Sequence, residues 1–444
     1  MKSNINLFLF LLLLSVSCQP SVDFDTNDPE MIHQSMKKLT DVIVYDIFSP
    51  PVASRIYAYP SIAAYEALIH DHPDYQTLAG QLNGLAAAPA PEADQEYCYP
   101  LASLHAFLTV GKALIFSEQD IEELEQTLYA KYDDALAGSV YDRSLEYGAA
   151  VAKHILAWAS QDQYKESRSY PKFTVNDAPG RWQPTPPDYM DGIEPHWKAI
   201  RPFLLDSSSQ FVPPPPTEFN MEEDSPFFQE VKEVYETGVQ LDEEQTEIAS
   251  FWDCNPYVSH HQGHVMFATK KITPGGHWIG IASIAARQTN ADLMKSVATY
   301  TVTAVALMDG FISCWDEKYR SNLIRPETLI NMHMDEDWVP LLQTPPFPEY
   351  PSGHSVISSA AAVALTDLYG ENFQFTDSTE YEYGLPPRDF DSFIQASEEA
   401  AISRLYGGIH YMPAIENGVA QGRKVGRLVV NRLQMRKNES VAEN

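Results

Sequence analysis

Residues 351–370, PSGHSVISSAAAVALTDLYG, decide how the rest of the chain is read. Pro351 keeps the approach extended, Ser352 is a strong N-cap, and the Ala-rich run from Ser355 to Tyr369 has the composition of a buried helix closed by Gly370. Free amides at such a helix start point at an anion, and here that position is held by Gly353 with His354 behind it. Alone, a Ser-Gly-His is an ordinary cap. Two flanking segments change that reading.

Upstream, residues 315–326 read WDEKYRSNLIRP; downstream, residues 404–410 read RLYGGIH. If a helix continues through both Lys318 and Arg325, the two side chains leave nearly the same face two turns apart, and Pro326 is expected to end it. A helix from about Ser392 to Arg404 is predicted to break at Gly407-Gly408, turning the chain so that His410 returns beside Arg404, before a further helix from Ile415 to Met435. The pooled side chains are three cations, Lys318, Arg325 and Arg404, two neutral donors, Ser352 and the Gly353 amide, and two imidazoles, His354 and His410. This inventory suits a tetrahedral or trigonal-bipyramidal oxyanion. Three cations offset the charge of a phosphate or vanadate, and guanidinium pairs in a planar, bidentate way that survives burial.

Working outward, the chain has 444 residues and 44% hydrophobic content, enough for two or three ordinary domains or one large helical body. Strictly alternating strands are scarce and helical periodicity is frequent, so the expected fold class is all-α, a large helical bundle body with the oxyanion site in its C-terminal part. Residues 1–18 read as a secretory signal, and small residues directly before Cys18 suggest a lipoprotein-type cleavage with Cys18 acylated, placing the protein in a bacterial cell envelope. Ser15 stands where Leu is usual, so simple secretion is the other option. Residues 19–35 read as a tether, 36–164 as a helical scaffold, 165–225 as a Pro-rich strap, 226–436 as the catalytic domain and 437–444 as a tail. Trp182, Trp197 and Phe203 argue that the strap is ordered, because a solvated linker has no use for them.

The net charge of -31 excludes nucleic acid as a partner and makes the clustered cations stand out against the global field. Beyond Cys18, three cysteines remain (Cys98, Cys254 and Cys314), an odd number without CxxC spacing, which argues against a disulfide framework or a cysteine metal site. His260 and His264, four apart, lack the Glu of a hydrolytic zinc motif and read as a polar wall that, with Tyr257, stands above the anion site. No apolar run beyond the signal is read as a membrane span. A membrane association is therefore expected only through the N-terminal lipid. Oligomeric state is not legible.

Lys318 with six residues before Arg325-Pro326, then Pro351-Ser352-Gly353-His354, then Ser403-Arg404 with five residues before His410, resembles the three-part signature shared by vanadium-dependent haloperoxidases and type 2 phosphatidic acid phosphatases. Phe251-Trp252, residues 273–278 (TPGGHW) and residues 180–187 (GRWQPTPP) extend a weaker likeness to bacterial haloperoxidases over most of 180–430. The resemblance implies a haloperoxidase/acid-phosphatase-type helical bundle and a vanadate cofactor bonded to His410. Lys318, Arg325, Ser352, the Gly353 amide, His354 and Arg404 surround its oxygens, and Lys318 and His354 are catalytic, polarising peroxide and handling its protons. Trp315, Phe347, Tyr257 and Asp316 are the implied pocket residues. Trp315 and Phe347 favour the haloperoxidase branch, with hydrogen peroxide and a halide, iodide or bromide, as substrates and hypohalous acid as product. An acid phosphatase working through phospho-His410 is the alternative, and an anion-binding surface lipoprotein a third. The pattern departs at Ala414, where many members carry Asp, so the motif does not identify the group that orients His410.

Overall fold

The structure, a computed structural model, describes residues 24–437; the expected signal and Cys18 lie outside the described residues, as do residues 438–444. Five helices come first: α1 (Glu30–Tyr45), α2 (Pro50–Leu68), α3 (Tyr99–Lys112), α4 (Glu118–Ala135) and α5 (Gly138–Ala159), followed by the single turn α6 (Tyr164–Ser167). After the Pro-rich strap come α7 (Pro226–Val239), α8 (Glu243–Phe251) and an antiparallel hairpin of β1 (Val258–Gln262) and β2 (Val265–Thr269). Then follow α9 (Pro274–Gln288), α10 (Leu293–Ser321), α11 (Pro326–His333), α12 (Gly353–Tyr369), the small antiparallel pair β3 (Phe375–Asp377) and β4 (Arg388–Phe390), α13 (Phe393–Tyr406) and α14 (Met412–Arg432). The fold is mainly helical.

The body is built around α10. Asp292 caps it, its side chain accepting from the Lys295 amide, and Asn322 closes it in the left-handed region (φ 50°). By length and composition α10 matches a membrane span, contrary to the reading that no apolar run is long enough, but it is buried throughout that span by α2, α9, α12 and α14. One continuous core runs from Met31 to Met435, so the N-terminal scaffold and the C-terminal bundle share it. The strap is tied to the same helix. Asp309, fully buried in mid-α10, accepts from the amides of Phe203, Leu204 and Leu205 at 2.7, 2.8 and 3.0 Å, and Trp182, Trp197 and Phe203 are completely buried.

Three local expectations are corrected. The tether expected over 19–35 gives way to helix at Glu30, because Met31, Ile32 and Met36 form an apolar stripe that packs into the core. The helix carrying Lys318 stops at Ser321 rather than at Arg325, and Pro326 starts α11 instead of ending a helix, its missing N–H costing nothing in a first turn. Against the all-α expectation, residues 258–269 form the hairpin: Gly263 (φ +59°) and His264 make the two-residue turn between its strands. His260 and His264 therefore share no helix face.

The site depends on how closely α14 approaches α12. Gly418, Gly422 and Gly426 line one face of α14, and a Cβ at Gly422 would lie 2.1 Å from the Val356 carbonyl oxygen, backbone that cannot turn aside. Gly422→Ala is thus expected to lower stability by about 1–3 kcal/mol through overpacking, seen as a lower midpoint of thermal unfolding; an unchanged midpoint would mean that the two helices separate freely.

Candidate active site

His410 is the centre of the site. α13 ends at Tyr406, Gly407 is still right-handed, Gly408 takes φ +76°, and the chain turns so that His410 sits buried just ahead of α14. Its Nδ1 donates to Glu349 Oε1 at 2.7 Å, and the same oxygen accepts the Tyr411 amide at 3.0 Å. With the proton on Nδ1, Nε2 is unprotonated and accepts a hydrogen bond from Arg325 Nη1 at 3.2 Å. Burial, reinforced by Arg325, Lys318 and Arg404, holds His410 well below the usual imidazole range, so the ring is neutral. The acceptor missing at Ala414 is supplied by Glu349, 61 residues upstream of His410 in sequence. Ala414 itself serves the cap of α12, its carbonyl accepting the Ser352 amide at 3.0 Å.

The cations surround this imidazole. Arg325, fully buried, donates through Nε to the Phe347 carbonyl at 3.0 Å and through Nη1 to the Ile409 carbonyl at 2.7 Å, leaving Nη2 buried with no partner among the described residues. Arg404 is held by the Trp252 carbonyl at 2.6 Å and by Ser403 Oγ at 2.9 Å. Lys318 spends all three donors on carbonyls of one turn, Pro348 at 3.1 Å, Glu349 at 3.0 Å and Pro351 at 2.5 Å. So engaged, its amine is held in one position, and contact with an anion oxygen requires one of those bonds to be exchanged. Burial pulls Lys318 down to about 7, with Cys314 and Glu349 opposing only in part, and pushes the Glu349 carboxyl up to about 8 against Arg325 and Lys318.

The α12 N-terminus completes the set. Ser352 Oγ accepts from the Ser355 amide and hydroxyl, and the Ser352 carbonyl takes the Val356 amide. The Gly353 and His354 amides remain as first-turn donors. His354 is held well below its ordinary range by burial and then by Arg404 and His277, and its Nε2 is buried with no partner among the described residues.

Gly353, His354, Arg404 and His410 line one cavity. Its aromatic wall is Trp315 against Phe347 at 5.0 Å, with Phe311 behind Trp315 at 5.3 Å. Tyr257 lines it, whereas His260, His261 and His264 do not; His261 instead pairs with Asp188 at 2.7 Å on the outside of the hairpin. Asp316 is not a pocket residue. One position along the helix from Trp315, it turns away and pairs with Arg320 at 3.0 Å. The sequence reading missed the other walls: Ile47, Ser49 and Pro50 from the α1–α2 turn, and Met190 and Ile193 from the strap, whose Ile193 carbonyl accepts from Trp315 Nε1 at 3.2 Å. The supposed scaffold therefore shapes the cavity. Glu349 left one faint signal, a lone acid among Pro and aromatic residues directly ahead of the motif.

A neutral imidazole with an unprotonated Nε2, ringed by buried cations and helix-start amides at the bottom of an aromatic pocket, defines an oxyanion-centred enzyme built on a helical bundle. A family model described as the VCPO second helical-bundle domain matches residues 298–439. Among solved structures, a bacterial vanadium-dependent iodoperoxidase is 54% identical and superposes with a TM-score of 0.89, covering 94% of this chain and 99% of that one. The holo form of a bacterial vanadium-dependent chloroperoxidase shares the fold at 16% identity and TM-score 0.70 (93% and 99% covered), and an apo form at 16% and 0.66 (87% and 95%). No curated protein sequence matches. The chain belongs to the vanadium-dependent haloperoxidases, peroxidases that use bound vanadate and hydrogen peroxide to oxidise halide.

The residues present fit vanadate. A hard, oxygen-rich anion with one nitrogen ligand matches the unprotonated His410 Nε2, the partnerless Arg325 Nη2 is a donor awaiting an oxyanion, and His354 Nε2 is left without a partner beside it. Removing the Glu349 carboxylate frees the His410 ring, so Glu349→Ala is expected to weaken vanadate binding by roughly 10–100-fold, while Glu349→Gln, which keeps a carbonyl acceptor, loses less; equilibrium dialysis with vanadate checks both. Lys318 is charged below about pH 7 and discharges above it. Affinity for inorganic phosphate, a stand-in oxyanion, is therefore expected to fall by roughly tenfold as that charge is lost, beyond the change phosphate's own titration causes. Lys318→Gln removes this component, and calorimetric titrations across pH compare the two proteins.

Proposed function

We propose that this haloperoxidase works on iodide in preference to chloride, and that His410 is the protein's bond to the vanadate. The observation that carries the site assignment is the Glu349–His410 hydrogen bond, which keeps the proton on Nδ1 and leaves Nε2 unprotonated, facing Arg325. When bound, vanadate supplies the Lewis acidity that turns hydrogen peroxide into an oxidant of halide. Arg325 and Arg404, with Lys318 behind them, offset the anion's charge in a site where burial makes each charge count for more than in water. His354, neutral and with Nε2 free, accepts a proton as peroxide enters and returns it to the departing oxygen, so that peroxide, halide and one proton become hypohalous acid and water.

Two observations support iodide. The 54% identical structure is of an iodoperoxidase, and the cavity wall of Phe311, Trp315, Phe347 and Ile193 offers a large, polarisable halide an apolar surface. Export with an acylated Cys18 is part of the same proposal, supported by the leader-like residues 1–17. Mass spectrometry of the membrane-bound protein tests it.

Purified protein is expected to oxidise iodide with hydrogen peroxide only after orthovanadate is added, with bromide slower and phosphate inhibitory. His354→Ala should reduce turnover by roughly 100-fold or more while changing vanadate affinity far less; full turnover in that variant would remove His354 from proton handling. Hydrolysis of p-nitrophenyl phosphate without halide oxidation would replace the peroxidase reading with a phosphatase one.

A further inference from the structure

Beside the halide cavity, and sharing Cys254 with its lining, lies a second cluster, fully buried and unused by the halide chemistry. Cys254 comes from the connection between α8 and β1, His277 from α9, and Glu380 from the loop between β3 and β4. Cys254 Sγ lies 3.4 Å from His277 Nδ1, His277 Nδ1 lies 3.1 Å from Glu380 Oε1, and Sγ to Oε1 is 3.9 Å. We propose that Cys254, His277 and Glu380 bind a divalent cation of the zinc class, separate from the vanadate.

The donor triangle has the right size. Tetrahedral zinc with ordinary bond lengths to sulfur, nitrogen and oxygen sets its donors about 3.3–3.6 Å apart, and the three separations bracket that range. The outer nitrogen of His277 is also arranged as a ligand's would be: Nε2 bonds to the buried Asp377 Oδ2 at 2.7 Å, which places a proton there and aims Nδ1 at Cys254 and Glu380. Glu380 Oε2 is buried with no partner among the described residues, leaving a second carboxylate oxygen for the ion. Thiolate and carboxylate together neutralise a dication, and a mixed sulfur, nitrogen and oxygen set selects zinc over magnesium or calcium.

Such an ion would brace the vanadate site. Trp252 stacks on the His277 ring at 4.5 Å between centroids, and its carbonyl is the acceptor that holds Arg404. Three segments distant in sequence would then be clamped behind one oxyanion ligand. The competing occupant of the same space is a proton on His277 Nδ1, donated to Glu380.

The test uses the full chain purified without metal-affinity resin. Elemental analysis is expected to find stoichiometric zinc that survives dialysis, whether or not vanadium is present. Replacement by cobalt(II) is expected to give a thiolate-to-cobalt charge-transfer band that disappears in Cys254→Ser and persists in Cys98→Ser. His277→Gln should also lose the metal. If the wild-type protein holds no zinc as purified and takes up neither zinc nor cobalt at neutral pH, or if Cys254→Ser keeps the cobalt band, the proton occupies the site and the proposal is overturned.

Discussion

The hydrogen bond from His410 Nδ1 to Glu349 is the constraint on which the site depends. A buried neutral imidazole has two tautomers, and only one leaves Nε2 unprotonated beside Arg325. Glu349 selects it and uses the same oxygen to hold the Tyr411 amide, so ring orientation and the start of α14 are set by one carboxylate. Burying that carboxylate is costly, and the cost is offset by Arg325 and Lys318, which the anion also needs. Ligand, orienting acid and cations therefore form one electrostatic unit.

That unit is held by packing. Lys318 threads its three carbonyl bonds through the turn that carries Glu349, tying α10 to the approach of α12. The glycine face of α14 lets its backbone meet α12, which brings the turn after His410 against the cap at Ser352. The strap is pinned to mid-α10 through Asp309 and supplies part of the cavity wall. Site rigidity is thus a property of the core, with α10 as the shared element.

Much of the donor set was legible because its pieces are local. Ser352 capping α12, the Gly407-Gly408 turn before His410 and the placement of Arg404 in the last turn of α13 follow from backbone preferences over a few residues. Where local preference was ambiguous, the reading slipped. Asn322 ended α10 early by adopting a left-handed conformation that Asn tolerates, and Gly263 turned a histidine-rich stretch into a hairpin. Asp316, expected in the pocket with Trp315, faces elsewhere because adjacent helical residues point about 100° apart.

The sequence by itself determined the chemical inventory: three cations, two imidazoles and the helix-start amides, in an order that marks the family, within a chain whose apolar periodicity is helical. Tertiary structure alone decided which carboxylate orients His410, that residues 47–50 and the strap wall the cavity, and that Lys318 faces three carbonyls. The physical reason is range. Caps and turns are settled by neighbours in the chain, whereas a tautomer, a cavity wall or a buried ion partner is settled by segments that meet only when the core closes.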